Sequence, residues 1–193
     1  SIVGRMSNHR RTLATKISER SARVGIIGLG YVGLPLALLF EESGFPVVGF
    51  DVDPAKPEAL HRGESYIRHI GKERVAKAFA RGRILATTDF DRLAECDAIL
   101  VCVPTPLGRH REPDLSFIRV TGDEMARRLR PGQLVVLEST TYPGTTRDVV
   151  LPILEKVGRP PMALRNAANE RLAKLPKAYG SDVRLSREIT KVV

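Results

Sequence analysis

Cysteine is scarce in this chain. Only Cys96 and Cys102 occur among 193 residues. That is too few for a disulfide framework and, with no suitable partners nearby, a poor metal-ligand set. Both lie in or beside an apolar strand pattern, so they read as buried thiols of a reducing cytoplasm, and no metal is expected. Long apolar runs are missing as well. No stretch of eighteen apolar residues exists, which excludes a membrane-spanning helix, and no apolar segment at the start reads as a signal peptide. There is no internal repeat and no low-complexity tract.

The central region also lacks net charge. The chain as a whole carries +9, yet residues 23–158 hold eighteen basic and eighteen acidic side chains. The excess sits at the ends, with five Arg or Lys against one Glu in residues 1–22 and eight against three acids in residues 159–193. A nucleic-acid surface would normally place its basic residues on the folded core, so this distribution argues against such a partner. The length and the hydrophobic content of 42% suit one domain with a substantial core.

What is present begins at Val24-Gly25-Ile26-Ile27-Gly28-Leu29-Gly30-Tyr31-Val32-Gly33-Leu34-Pro35. An apolar strand enters a G-x-G-x-x-G turn that opens a helix. Gly28 permits the tight turn, Gly30 lets a pyrophosphate approach the backbone, and Gly33 lets helix and strand pack closely. The helix N-terminus offers unpaired N–H groups and partial positive charge to phosphates. A second apolar strand, Val47-Val48-Gly49-Phe50, ends at Asp51, close to the ~20-residue offset of a ribose-binding acid. A carboxylate there accepts hydrogen bonds from ribose hydroxyls and repels a 2′-phosphate, favouring NAD over NADP. Asp51 also reads as a turn or cap residue, with Asp53-Pro54 starting the next helix. Lys56 reads either as a pyrophosphate contact or as a solvated side chain.

Strand and helix then alternate. Strands are expected at Arg23–Ile27, Pro46–Asp51, Ile84–Ala86, Asp97–Val103 and Gln133–Glu138. Helices are expected at Tyr31–Ser43, Lys56–Arg62, Lys72–Ala80, from Thr88-Asp89 to Ala94, at Ser116–Leu129 and at Thr145–Val157. This order implies an α/β fold with a doubly wound parallel sheet of Rossmann type. Three segments follow. Residues 1–22 form a short amphipathic helical extension marked by Leu13 and Ile17, and residues 23–164 form the NAD-binding domain. Residues 165–193 are a diverged, irregular tail whose order the sequence leaves open. Met162–Leu164 is a candidate sixth strand.

Ligands of such sheets bind outside the carboxyl ends of the strands. Besides the glycine turn, two loops stand there: Val103-Pro104-Thr105-Pro106, stiffened by two prolines, and Glu138-Ser139-Thr140-Thr141-Tyr142-Pro143-Gly144-Thr145-Thr146, rich in hydroxyls. Thr145 and Thr146 read as helix caps at least as readily as ligand contacts.

With these loops, Asp51-Val52-Asp53-Pro54-Ala55-Lys56 and Glu112-Pro113-Asp114-Leu115-Ser116, the chain resembles the UDP-glucose/GDP-mannose (nucleotide-sugar 6-) dehydrogenase family over about residues 12–157. The runs Glu112–Ser116 and Ser139–Thr146 look most like the branch acting on UDP-N-acetylglucosamine or its relatives. The resemblance implies cytoplasmic nucleotide-sugar metabolism for polysaccharide biosynthesis, with a sugar C6 alcohol oxidised to a carboxylate by two NAD, the second step passing through a cysteine-bound thiohemiacetal and thioester. It implies that Gly28, Gly30, Tyr31, Val32 and Gly33 hold the pyrophosphate, with Asp51 on the ribose and Lys56 nearby. Pro104, Thr105, Ser139 and Thr140 would lie along the cofactor. Thr140 would also help position a catalytic water, and Glu170, in Ala168-Asn169-Glu170-Arg171 where the family has Ser-Pro-Glu-Arg, would be the catalytic glutamate. The family's central helix and its glycine-rich cysteine segment have no match here, so the chain is expected to be a truncated or split enzyme, inactive alone. Its expected partners are NAD, a nucleotide sugar, and a separate catalytic domain or further copies of itself. The alternatives are a non-catalytic nucleotide-binding remnant and the NAD domain of another dehydrogenase.

Overall fold

A computed structural model describes residues 2–107, 113–139, 141 and 144–155, with side chains from Asn8 onward. Five strands, β1 (Val24–Ile27), β2 (Val47–Phe50), β3 (Ile84–Thr87), β4 (Ala98–Val101) and β5 (Leu134–Leu137), form one parallel sheet in the order β3-β2-β1-β4-β5. The chain runs outward from β1 to one edge, returns, and runs outward to the other. The crevice where this direction reverses lies at the ends of β1 and β4, the switch point at which such sheets bind ligands. The expected architecture is therefore present.

Period-two alternation divides each strand between two cores. Val24, Ile26, Val47, Ala98 and Leu100 face one apolar layer. Helices α2 (Gly33–Glu42), α3 (Ala55–His61) and α4 (Lys72–Ala80) cover it through Leu34, Leu38, Leu60 and Val75. Ile27, Val48, Phe50, Ile99 and Val101 face the other. That face is covered by the 3₁₀ segment Phe90–Glu95, by α5 (Ser116–Ala126), and by a π-helical turn, Thr146–Val150, that runs into α6 (Leu151–Glu155). Every residue of β1, β2 and β4 is buried, as both-face coverage requires.

The amphipathic extension is a 17-residue helix, α1 (Ile2–Ser18). It is fastened by Leu13, Ile17 and an ion pair of 2.8 Å between Lys16 and the nearly buried Asp97. Burial opposes ionisation of Asp97. Hydrogen bonds from Lys16, the Arg23 amide and Arg130 outweigh it and hold the carboxyl below its ordinary range.

Several boundaries differ from expectation for local reasons. β4 begins at Ala98, one residue after Asp97, whose backbone still bonds to Arg23 and Leu134. Helix α2 begins at Gly33 rather than Tyr31, its first inward hydrogen bond running from Leu34 to the Gly30 carbonyl. Asp89 starts its short helix as expected, accepting from the Asp91 amide at 3.0 Å. Thr145 is fully buried at the head of the π-helical turn but makes no side-chain cap bond to it, so the capping role expected for it is not realised. The candidate strand Met162–Leu164 and the tail 165–193 lie outside the described residues.

Candidate functional site

The carboxyl ends of β1, β2, β4 and β5 meet in a cleft of about 770 Å³. Gly28, Gly30, Tyr31, Val32, Asp51, Lys56, Pro104, Thr105 and Ser139 all line it, so most of the residues singled out from sequence converge on one space. Gly33 lies just behind it, at the start of α2. Thr140 and Glu170 lie outside the described residues.

The three glycines of the turn are required for different physical reasons. Gly28 sits at φ +92°, and a Cβ there would come within 2.7 Å of the Cys102 carbonyl oxygen. A methyl on Gly33 would collide with the carbonyl of Gly28, meeting its carbon at 2.9 Å. This contact fixes how closely α2 approaches β1. Gly30 has nothing within 4 Å of where a Cβ would stand. Its lack of a side chain therefore serves no packing need and leaves the backbone open on the cleft side. Among the described residues, the amides of Gly30, Tyr31 and Val32 find no acceptor. Unpaired amides at a helix N-terminus, beside an open glycine, are the elements of an anion cradle.

Asp51 stands at the tip of β2 and is 5% exposed. One carboxylate oxygen accepts from the Leu29 amide at 2.8 Å and from Lys56 Nζ at 2.8 Å. The other accepts from the Asp53 amide at 3.1 Å. A buried carboxylate needs such partners. Asp51 thus braces the glycine turn from within while one edge faces the cleft. Asp53 takes the local turn role, accepting from the Ala55 amide at 3.1 Å. Lys56 pairs with Asp51 through the same oxygen that accepts the Leu29 amide of the glycine turn, and it lines the cleft.

The opposite wall is different in kind. Ser139 donates to the Val103 carbonyl at 2.7 Å, tying the two later loops together, so its proton is not directed at a ligand. Phe117 and Val120, on the outer face of α5, are 48% and 64% exposed and turn apolar surface into the cleft. Glu138, half-buried at the end of β5, has its carboxyl raised by burial. Cys102 lies beneath it, its thiol pushed up to about 12 by burial and, secondarily, by the charge of Glu138. Cys96 is also pushed up to about 12, mainly by burial. Both are therefore thiols at neutral pH and not nucleophiles.

Sequence reasoning missed the apolar face of α5, although Phe117 and Val120 lie three residues apart and share a helix face. It also missed Tyr66, whose hydroxyl donates to the Leu29 carbonyl at 2.7 Å across 37 positions of sequence. No local pattern announces that contact.

A parallel sheet with a glycine-turn anion cradle and an acid at the tip of the second strand defines a dinucleotide-binding protein of Rossmann type. Residues 22–170 match the UDP-glucose/GDP-mannose dehydrogenase family, NAD binding domain, and the chain belongs to that family. It is 34% identical over 137 residues to the UDP-N-acetyl-D-glucosamine 6-dehydrogenase of Pseudomonas aeruginosa, covering 71% of this chain and 32% of that protein. It is 36% identical over 136 residues to the enzyme of the same name from Salmonella typhi, covering 70% of this chain and 31% of that one. Among solved structures, it is similar to a ternary complex of GDP-mannose dehydrogenase from Pseudomonas aeruginosa. There the TM-score is 0.67 with 33% identity, over 70% of this chain and 32% of the other. The chain thus spans about a third of the length of these relatives.

Proposed function

We propose that these residues bind NAD and form the cofactor-holding wall of an enzyme that oxidises the C6 alcohol of a UDP-N-acetylhexosamine. The observation that carries the reading is the glycine turn. Gly28 and Gly33 are enforced by packing, whereas Gly30 is left open to a ligand. The free amides of Gly30, Tyr31 and Val32 would hold the pyrophosphate. Asp51, with Lys56 at its side, would take the adenosine ribose hydroxyls. Pro104, Thr105, Ser139 and Thr140 would border the nicotinamide end, beyond the end of β4. When bound, NAD supplies the hydride acceptor. This chain's residues orient it and exclude water with the apolar surfaces of Tyr31, Val32 and Phe117.

The sugar assignment rests on the runs Glu112–Ser116 and Ser139–Thr146 and on the similarity to UDP-N-acetyl-D-glucosamine 6-dehydrogenases. Thr140 and Glu170 remain the proposed water-positioning and catalytic residues. The two free cysteines suit a reducing cytoplasm. Capture of an aldehyde as a thiohemiacetal requires an accessible thiolate, and neither Cys96 nor Cys102 offers one. Hydride transfer further needs the sugar C6 held against the nicotinamide, and these residues offer only the cofactor-holding wall, so we expect the 193 residues by themselves to bind NAD with a single saturable isotherm and to form no NADH with UDP-N-acetylglucosamine until a cysteine-bearing partner domain is added. Calorimetry and absorbance at the NADH band test both halves. Absence of NAD binding overturns the reading. NADH formation by the chain alone overturns the need for the partner.

A further inference from the structure

We propose that Tyr66 is a positioning residue that aims the Gly30 amide into the cleft, and so sets the affinity for the pyrophosphate of a dinucleotide. The inference rests on the nucleotide-binding reading above and goes beyond it, because Tyr66 does not line the cleft.

A single peptide joins Leu29 to Gly30 within the glycine turn. It is trans, as are all peptide bonds of the described residues, so the Leu29 carbonyl and the Gly30 N–H point in opposite directions across one plane. Tyr66 donates to that carbonyl at 2.7 Å. Whatever holds the carbonyl toward Tyr66 holds the Gly30 N–H away from it, on the side where no Cβ and no acceptor intervene. The residue is clamped at two further points. Its amide donates to Asp51 at 2.8 Å. Its side chain is 1% exposed and lies over Gly49, where an added Cβ would meet it at 2.7 Å. With the amide and side chain held by β2, Tyr66 supplies the remaining restraint, on the carbonyl.

Tyr66 is itself held in place. Ile67 and Ile70 are buried in the layer beneath α2 and α3. Ser65 closes a tight turn, donating to the Ile67 carbonyl at 3.1 Å. His69 stacks on Tyr31, with ring centroids 6.1 Å apart. The segment from Ser65 to Ile70 therefore forms a strap between α3 and α4 that touches the glycine turn at Leu29 and Tyr31. Burial, and then the nearby charges of Asp51 and Asp53, raise the phenol well above its ordinary value. The hydroxyl thus remains a donor at neutral pH.

The test titrates the 193-residue chain and its Tyr66→Phe variant with NAD, ADP-ribose and adenosine. Removing one neutral hydrogen bond that orients a donor corresponds to about a three- to tenfold change in affinity. The variant should lose that factor for NAD and for ADP-ribose and none for adenosine, which has no pyrophosphate. Equal losses for all three ligands, or no loss for ADP-ribose, overturn the proposal. A wild-type chain that binds neither NAD nor ADP-ribose overturns the nucleotide reading instead. As an independent measurement, the ¹⁵N–¹H resonance of Gly30 in the ligand-free variant should shift while those of Val24–Ile27 stay in place. An unmoved Gly30 resonance contradicts the proposal without reference to any ligand.

Discussion

The two halves of the cleft are built on opposite principles. The half made by β1, α2 and β2 is assembled from main chain and one carboxylate. Gly28 and Gly33 are pressed against neighbouring carbonyls, the amides of Gly30 to Val32 between them find no acceptor among the described residues, and Asp51 ties the turn to the strand beside it. The half made by β4, α5 and β5 presents exposed apolar side chains, a half-buried carboxyl and a buried thiol. Under the proposed function, the first receives phosphate and ribose. The second is a wall that offers surface but no nucleophile. Under that reading, binding and chemistry are separable in this molecule.

Substitutions within the glycine turn sharpen the contrast. Gly33→Ala forces a methyl into the Gly28 carbonyl, where only backbone can yield. A cost of about 3 kcal/mol or more is expected, in the range of severe packing defects. Thermal or urea unfolding would show it, and a stability equal to wild type would refute the packing role. Gly30→Ala should do the reverse. With open space around the site and an ordinary φ, stability should stay within about 1 kcal/mol of wild type and could rise, since alanine restricts the unfolded chain. NAD affinity should nevertheless fall, by about tenfold or more, roughly the loss of one charge-assisted hydrogen bond. Unchanged affinity in calorimetry would remove the phosphate from this turn.

The thiols give a smaller and slower effect, read from pH. Cys96 and Cys102 are each raised to about 12 from an ordinary value near 9. Between those limits the folded state keeps protons that the unfolded state has lost. Stability must therefore fall as pH rises above 9, with a limiting slope of about 1.4 kcal/mol per pH unit for each thiol. Below 9 the thiols contribute no slope. Cys96→Ala should flatten the alkaline limb, and an identical limb in the variant would show that the Cys96 thiol is not the group responsible.

Much of this was legible in the sequence because it depends on local repetition. Each strand was recovered to within one or two residues, since a strand covered on both faces must be apolar throughout, as in Ala98–Val101. The glycine turn and Asp51 were legible because their spacing is a property of one strand-turn-helix-strand unit. Contacts between distant segments were not. The approach of Tyr66 to Leu29, the pairing of Lys56 with Asp51, and the inward hydrogen bond of Ser139 depend on how loops from different strands settle together.

The central claim is that Asp51 makes this cleft a site for NAD. Titration of the chain and of Asp51→Ala with NAD and NADP tests it most directly. The wild-type chain should bind NAD more tightly than NADP, because a buried carboxylate at the ribose edge repels a 2′-phosphate. Asp51→Ala should weaken NAD by about 1–3 kcal/mol and narrow or abolish the preference. Equal affinity of the wild-type chain for both nucleotides, or a preference that survives the loss of Asp51, would contradict the account.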